Sequence, residues 1–176
     1  MDKQTEEILQ KIEEAEYVLV GLGQEFDMEF FLQSREDYRR IREQLQQQNV
    51  LWLLPYVEAQ FRKQYMPEME AEIEKGLQKL AKVLEKKSYF VVSSSMNHKL
   101  AEVPWKKMLL KKERFVAPCG DWTKKQCPDG CEEGIQTVTE ADEEQLQESF
   151  KKLQTNGFSV PDLGKCPKRG KKLVLN

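Results

Sequence analysis

The chain has 176 residues, with 28 basic against 30 acidic side chains, a net charge of −2 and a single histidine. That length suits one domain of ordinary size carrying a small module and excludes two large domains. Near-balanced charge excludes a global field for nucleic acid or an anionic membrane; no apolar run is long enough to span a bilayer, and the acidic amphipathic start lacks signal-peptide character, so a cytoplasmic location is expected.

In chain order, Ile8, Leu9, Ile12 and Ala15 recur at helical spacing. The short apolar run from Glu16 to Gly23 then ends in glycines, which predicts a helix leading into a buried parallel strand. From about residue 34 to residue 87 the pattern is helical throughout. Ile41 and Leu45 come first, then Val50 to Val57 with Phe61, then Ile73, Leu77, Leu80 and Leu84 on one stripe opposite Glu and Lys. Pro55 and Pro67 divide this stretch into at least three helices. Ser88 to Ser93 reads as a second strand, and Glu113 to Ala117 as a third. One more amphipathic helix, residues 140–155, turns Leu146, Phe150 and Leu153 inward. Strands separated by long helical crossovers imply a parallel sheet with covered faces. Its ligand edge would collect Gly21 to Asp27, Ser93 to His98 and Pro118 to Trp122, where loops leave the carboxyl ends of the strands.

The cysteines form a pattern of their own. Cys127 and Cys131 make one knuckle, and Cys166-Pro167-Lys168-Arg169-Gly170 has the frame of a second, with Arg169 where a fourth sulfur would stand. Two knuckles ordinarily give one tetrahedral zinc four thiolates. This site is therefore either three-coordinate in protein ligands or abandoned. Cys119 reads as a reactive thiol or, on general burial tendencies, as an inert buried one. Trp52, Trp105 and Trp122 read as packing residues first. Lys124, Lys125, Lys165, Lys168 and Arg169 could gather on the knuckle module, and such a cluster would lower the thiol pKa values.

Four segments together carry a family resemblance. Lys11 to Gly23, Tyr89 to His98, Cys119-Gly120-Asp121-Trp122 ahead of Cys127, and the closing Cys166 to Lys171 resemble, in this order, the sirtuins. These are NAD-dependent protein deacylases and ADP-ribosyltransferases, and the likeness is greatest to their bacterial, macrodomain-linked class. The resemblance implies an α/β fold: a three-layer, Rossmann-like, sirtuin-type partial parallel sheet flanked by helices, over residues 1–122. A small zinc-ribbon-like Cys module would follow over residues 123–176. It further implies that Gly21, Gly23, Ser95, Asn97 and Gly120 would line a site for NAD. Cys119 would fall on the general-base position, with Asn97 and Asp121 beside it as catalytic candidates. Cys127, Cys131 and Cys166 would hold zinc.

The chain departs from that family at the places chemistry needs. Sirtuin phosphate loops keep small residues after the first Gly-x-Gly, because a pyrophosphate must approach bare N–H groups at a helix start. Here Gln24, Glu25, Phe26 and Asp27 bring carboxylates and a ring into the loop. Ser95 and Asn97 stand where the family has Asn and Asp, and a thiol at 119 is a poor base for a ribose hydroxyl. The family also continues past the second knuckle into further strands, so a partial sheet with an open edge beside the first strand is expected, suited to a protein partner or a homodimer. The expected function is a sirtuin-like protein with degenerate NAD-binding and catalytic motifs, inactive and acting as a scaffold. The alternative is an NAD-dependent deacylase or mono-ADP-ribosyltransferase with a reshaped pocket.

Overall fold

The computed structural model describes residues 3–27, 29–96, 112–120 and 122–176. Asn97, His98, Trp105 and Asp121 lie outside the described residues. The chain is a mixed α/β fold with a small parallel sheet and a second, antiparallel sheet.

Helix α1, Lys3–Glu14, leads through two residues into β1, Tyr17–Leu22. Strand β2, Ser88–Ser93, lies parallel to β1 over its whole length, pairing Tyr17 with Ser88 and Leu22 with Ser93. Strand β3, Phe115–Val116, adds in parallel to the far side of β2, so the order is β1-β2-β3. The third strand is shorter than its sequence suggested, because residues Lys112–Arg114 form a 3-10 turn instead.

Alternation decides which side of this sheet is covered. Val18, Val20, Leu22, Tyr89, Val91 and Phe115 face α5, Pro67–Leu84, and pack on its stripe of Ile73, Leu77, Leu80 and Leu84. The opposite side presents Tyr17 at 74 % and Leu19 at 76 % exposure, with Phe90 and Val116 also exposed. The expectation of a strand buried on both faces therefore needs correction: β1 is a sheet edge covered on one face among the described residues. The reason is the position of α1, which lies beside the end of α5, where Lys87 Nζ caps it by donating to the carbonyls of Glu13 and Ala15.

Between β1 and α5 run α2, Glu29–Gln33; α3, Glu36–Gln47; and α4, Leu54–Tyr65. The two prolines act as expected, each starting a helix within its first turn, where the missing N–H is not needed. These helices share the larger core with the Cys segments: Tyr38, Ile41, Leu45, Phe61 and Tyr56 pack with Trp122, Cys127, Leu146, Leu153, Leu163 and Cys166. Tyr56 meets the Trp122 ring edge-on at 5.5 Å.

The Cys segments carry β4, Lys124–Gln126; β5, Gln136–Thr137; and β6, Val174–Leu175, paired antiparallel in the order β5-β4-β6. Helix α6, Glu140–Gln154, starts in a capping box between Thr139 and Asp142. Leu146, Phe150 and Leu153 face inward, as their spacing predicted. Asp142 also accepts both contacts of the buried Lys125 ammonium, at 2.9 and 2.8 Å, which ties β4 to the start of α6.

Burial alone would push the Asp142 carboxyl up, but Lys125 and the Thr139 N–H and O–H outweigh it and hold the group below its usual 3.8. A carboxylate lowered in the folded state stabilises above its unfolded pKa and loses that contribution as pH falls through the folded one. Lys125→Met leaves the carboxylate buried and unpaired, and is expected to cost about 3 kcal/mol at neutral pH by urea denaturation. The deficit should shrink below about pH 4, where the unfolded chain takes up the proton. A variant as stable as the parent at neutral pH would show that the pair does not join the two elements.

Candidate metal centre

Two tight turns build the centre. In the first, the Gly130 N–H donates to the Cys127 carbonyl at 2.8 Å, with Gly130 at φ +68°. In the second, the Gly170 N–H donates to the Cys166 carbonyl at 2.8 Å, with Gly170 at φ +67°. Each glycine takes a left-handed conformation that a side chain would strain. Both turns begin with Cys-Pro, and the proline fixes φ where the chain must reverse.

The turns bring three sulfur atoms together. Cys127, Cys131 and Cys166 Sγ all lie within 4.8 Å of one another, with Cys131 and Cys166 3.2 Å apart. A tetrahedral zinc with bonds of about 2.3 Å sets its sulfur ligands about 3.8 Å apart, so this donor set can hold a metal ion. Space has been left for the sulfurs as well. A Cβ on Gly134 would run into Cys127 Cβ and stand 3.2 Å from Cys131 Sγ, so only glycine fits at this position. The Arg169 N–H donates to Cys166 Sγ at 3.4 Å, which favours the thiolate. Burial pushes the Cys166 thiol up, but the N–H groups of Arg169 and Lys168 and the neighbouring thiols outweigh it and leave it below 9.0. Cys131, hydrogen-bonded to Cys166, is pushed up to about 11. Arg169 has no acceptor atom on its side chain and cannot be a fourth ligand.

Two of the basic residues expected to gather around the thiols are engaged with acids. Lys125 is buried against Asp142, while Lys168 and Lys171 pair with Glu133 at 2.8 Å and Asp129 at 2.7 Å. Those two pairs cross between the knuckles, acid from the first and base from the second, so they clasp the turns together, and Cys127 joins Asp129 in favouring the charged Lys171 ammonium. Sequence reasoning missed this clasp and Gly134. Charges 35 or 42 residues apart give no local signal, although the glycine three residues after Cys131 could have been noticed.

The other candidates lie at the carboxyl end of the parallel sheet. Gly21 is inside β1 with open space around its Cβ position, and Gly23 follows the strand, closed over by the Glu25 carboxylate. Residues Gln24–Asp27 form one 3-10 turn. In it the Asp27 carboxylate accepts the Ser95 hydroxyl at 2.6 Å, and the Asp27 carbonyl accepts Arg62 Nη1 at 3.0 Å. Ser95 is thus buried and joined to the β1 turn. Arg62 is a further residue that sequence reasoning did not single out, whereas Asp27 was already marked as a carboxylate in this loop. Cys119 is exposed, which corrects the expectation of a buried thiol. Gly120, at φ +110°, is held close to Asn176, whose carbonyl would be 2.8 Å from any Cβ there.

No protein-family model matches the chain, and no curated protein matches it. Among the described residues, no helix is long and apolar enough to cross a membrane.

Exposure and protonation together order the thiols. Iodoacetamide is expected to alkylate Cys119 first, Cys131 slowly because its thiol is pushed up to about 11, and the buried Cys127 and Cys166 only on unfolding. Peptide mass mapping over time reads this order, and uniform labelling would contradict the packed cluster.

Proposed function

We propose that the chain is a sirtuin-like scaffold that binds no dinucleotide, acts through protein contacts, and is stapled in its Cys module by one zinc ion. One observation carries the first part of this reading. The turn after β1, where a dinucleotide's phosphates would need bare backbone, is filled by its own side chains, with Glu25 folded over Gly23 and Asp27 tied to Ser95. Two carboxylates at that point would repel a pyrophosphate. Stripping Asp27 from Ser95 and from the Arg62 contact would also cost the hydrogen bonds that hold the turn.

Cys119, where the family's general base would stand, is an exposed thiol and a poor base for a ribose hydroxyl.

The zinc part rests on the three converging cysteine sulfurs and the room that Gly134 leaves them. Zinc there would supply folding energy rather than chemistry, binding one knuckle to the other as the Asp129 and Glu133 ion pairs do.

Calorimetric titration with NAD and with ADP-ribose tests the scaffold reading. No heat beyond dilution is expected, whereas a micromolar Kd, or release of nicotinamide on incubation with NAD, would overturn it. The zinc reading has its own test in Arg169→Cys, which adds a thiol in the Cys-Pro-x-Cys-Gly frame. Zinc affinity, read by chelator competition, is expected to rise at least about tenfold, with cobalt spectra moving to the four-thiolate range. Failure of the parent chain to take up zinc at all would end that part of the reading.

A further inference from the structure

Cys131 and Cys166 stand closer together than a shared metal requires. Their sulfur atoms are 3.2 Å apart, against about 3.8 Å for two thiolates on one tetrahedral zinc. A disulfide bond is about 2.05 Å long, so only about 1 Å separates the pair from bonding distance.

The two residues are also placed to join the knuckles. Cys131 closes the first and Cys166 opens the second, 35 residues later, and the Glu133–Lys168 and Asp129–Lys171 pairs already hold the two turns together. A covalent bond here would do what a metal does by coordination, and closing a loop of this length restricts the unfolded chain.

Reach and chemistry favour the same pair. Cys127 and Cys166 are buried, whereas Cys131 is half-buried, so a reagent little larger than water enters the cluster on the Cys131 side. The Arg169 N–H points at Cys166 Sγ at 3.4 Å, which supports the nucleophilic form of that sulfur.

The number of thiols makes the outcome all-or-none. With Arg169 where a fourth sulfur would stand, joining two of the three leaves Cys127 alone, and one protein ligand does not retain zinc.

We propose that Cys131 and Cys166 are a reversible, peroxide-sensitive dithiol whose disulfide replaces zinc as the staple between the knuckles. The Cys166 sulfur attacks one peroxide oxygen and breaks the O–O bond, giving a sulfenic acid and hydroxide. The Cys131 sulfur then attacks the sulfenic sulfur, and the S–S bond forms as the sulfenic oxygen leaves in water. Two thiols thus give two electrons to one peroxide, and their protons leave in two waters. The dithiol stands on the sulfur geometry alone, whereas the exchange with zinc rests on the metal reading above.

The whole chain carrying Cys119→Ser, which removes the exposed thiol, is treated with one equivalent of hydrogen peroxide, first reduced and metal-free, then loaded with zinc. Mass mapping after cleavage on the amino side of Asp129, which puts Cys127 and Cys131 on separate peptides, should find Cys131 joined to Cys166. The joined form should melt at least about 5 °C above the reduced metal-free form, and a thiol reductant should reverse both changes. From the zinc-loaded chain, a chromophoric chelator should capture the metal in step with the disulfide. Cys127 in the main disulfide, oxidation of single cysteines to sulfinic acids, no gain in Tm, or zinc retained by the joined form would each overturn the proposal. A chain that takes up no zinc ends the metal reading and the exchange with it, while the metal-free arm still decides the dithiol.

Discussion

One buried cation holds the two halves of the fold in register. Arg62, on α4 and only 1 % exposed, reaches Glu70 on α5 at 3.1 Å and the Asp27 carbonyl at 3.0 Å. A guanidinium in such a place is tolerable only when fixed partners replace its water, and removing one partner would leave a charge stranded. The contact therefore dictates where the turn after β1 can lie. With its carbonyl pinned by Arg62, Asp27 turns its carboxylate to the Ser95 hydroxyl, and the crevice at the strand ends closes. A second buried contact stands one turn earlier on α4, where Tyr38 donates to Glu58 at 2.6 Å and burial pushes the Glu58 carboxyl up. Polar groups in this core are placed to fix geometry as much as to gain stability.

The Cys segments obey a similar logic with less help from hydrophobic area. Strands of two or three residues bury little by themselves, so the module leans on the larger core through Trp122, Leu146, Leu153 and Leu163. Its turns are then locked by glycine geometry, by crossed ion pairs and by three converging sulfurs. Exposed pairs of this kind contribute little singly. Their position across the knuckles lets a metal ion find its ligands already assembled, which lowers the ordering cost of binding.

Much of this was legible in the residues. The 3.6-residue stripe of Ile73, Leu77, Leu80 and Leu84, the apolar run of β2, the proline starts of α4 and α5, and the Leu146, Phe150, Leu153 face all depend on local spacing, which sequence records directly. The Cys cluster was legible for a different reason, since Cys-Pro turns announce themselves. Three things were not. The one-sided cover of β1 depends on where α1 lies in space, and an apolar run such as Tyr17 to Leu22 looks the same for one buried face as for two. The sharing of a core between α3, α4 and the Cys segments joins residues about 100 apart. Lys125 read as one of the basic residues that could gather on the knuckle module, and only the fold places Asp142 opposite it. In each case the deciding partner is remote in sequence, and side-chain type alone does not reveal it.

The central claim is that the turn Gln24–Asp27 is a closed plug rather than an empty cradle. A crystal structure of the chain grown with saturating NAD tests it most directly. The account predicts clear density for Asp27 against Ser95 and none for a dinucleotide over residues 21–27. Density for a pyrophosphate on those backbone amides, with Asp27 swung away from Ser95, would contradict it.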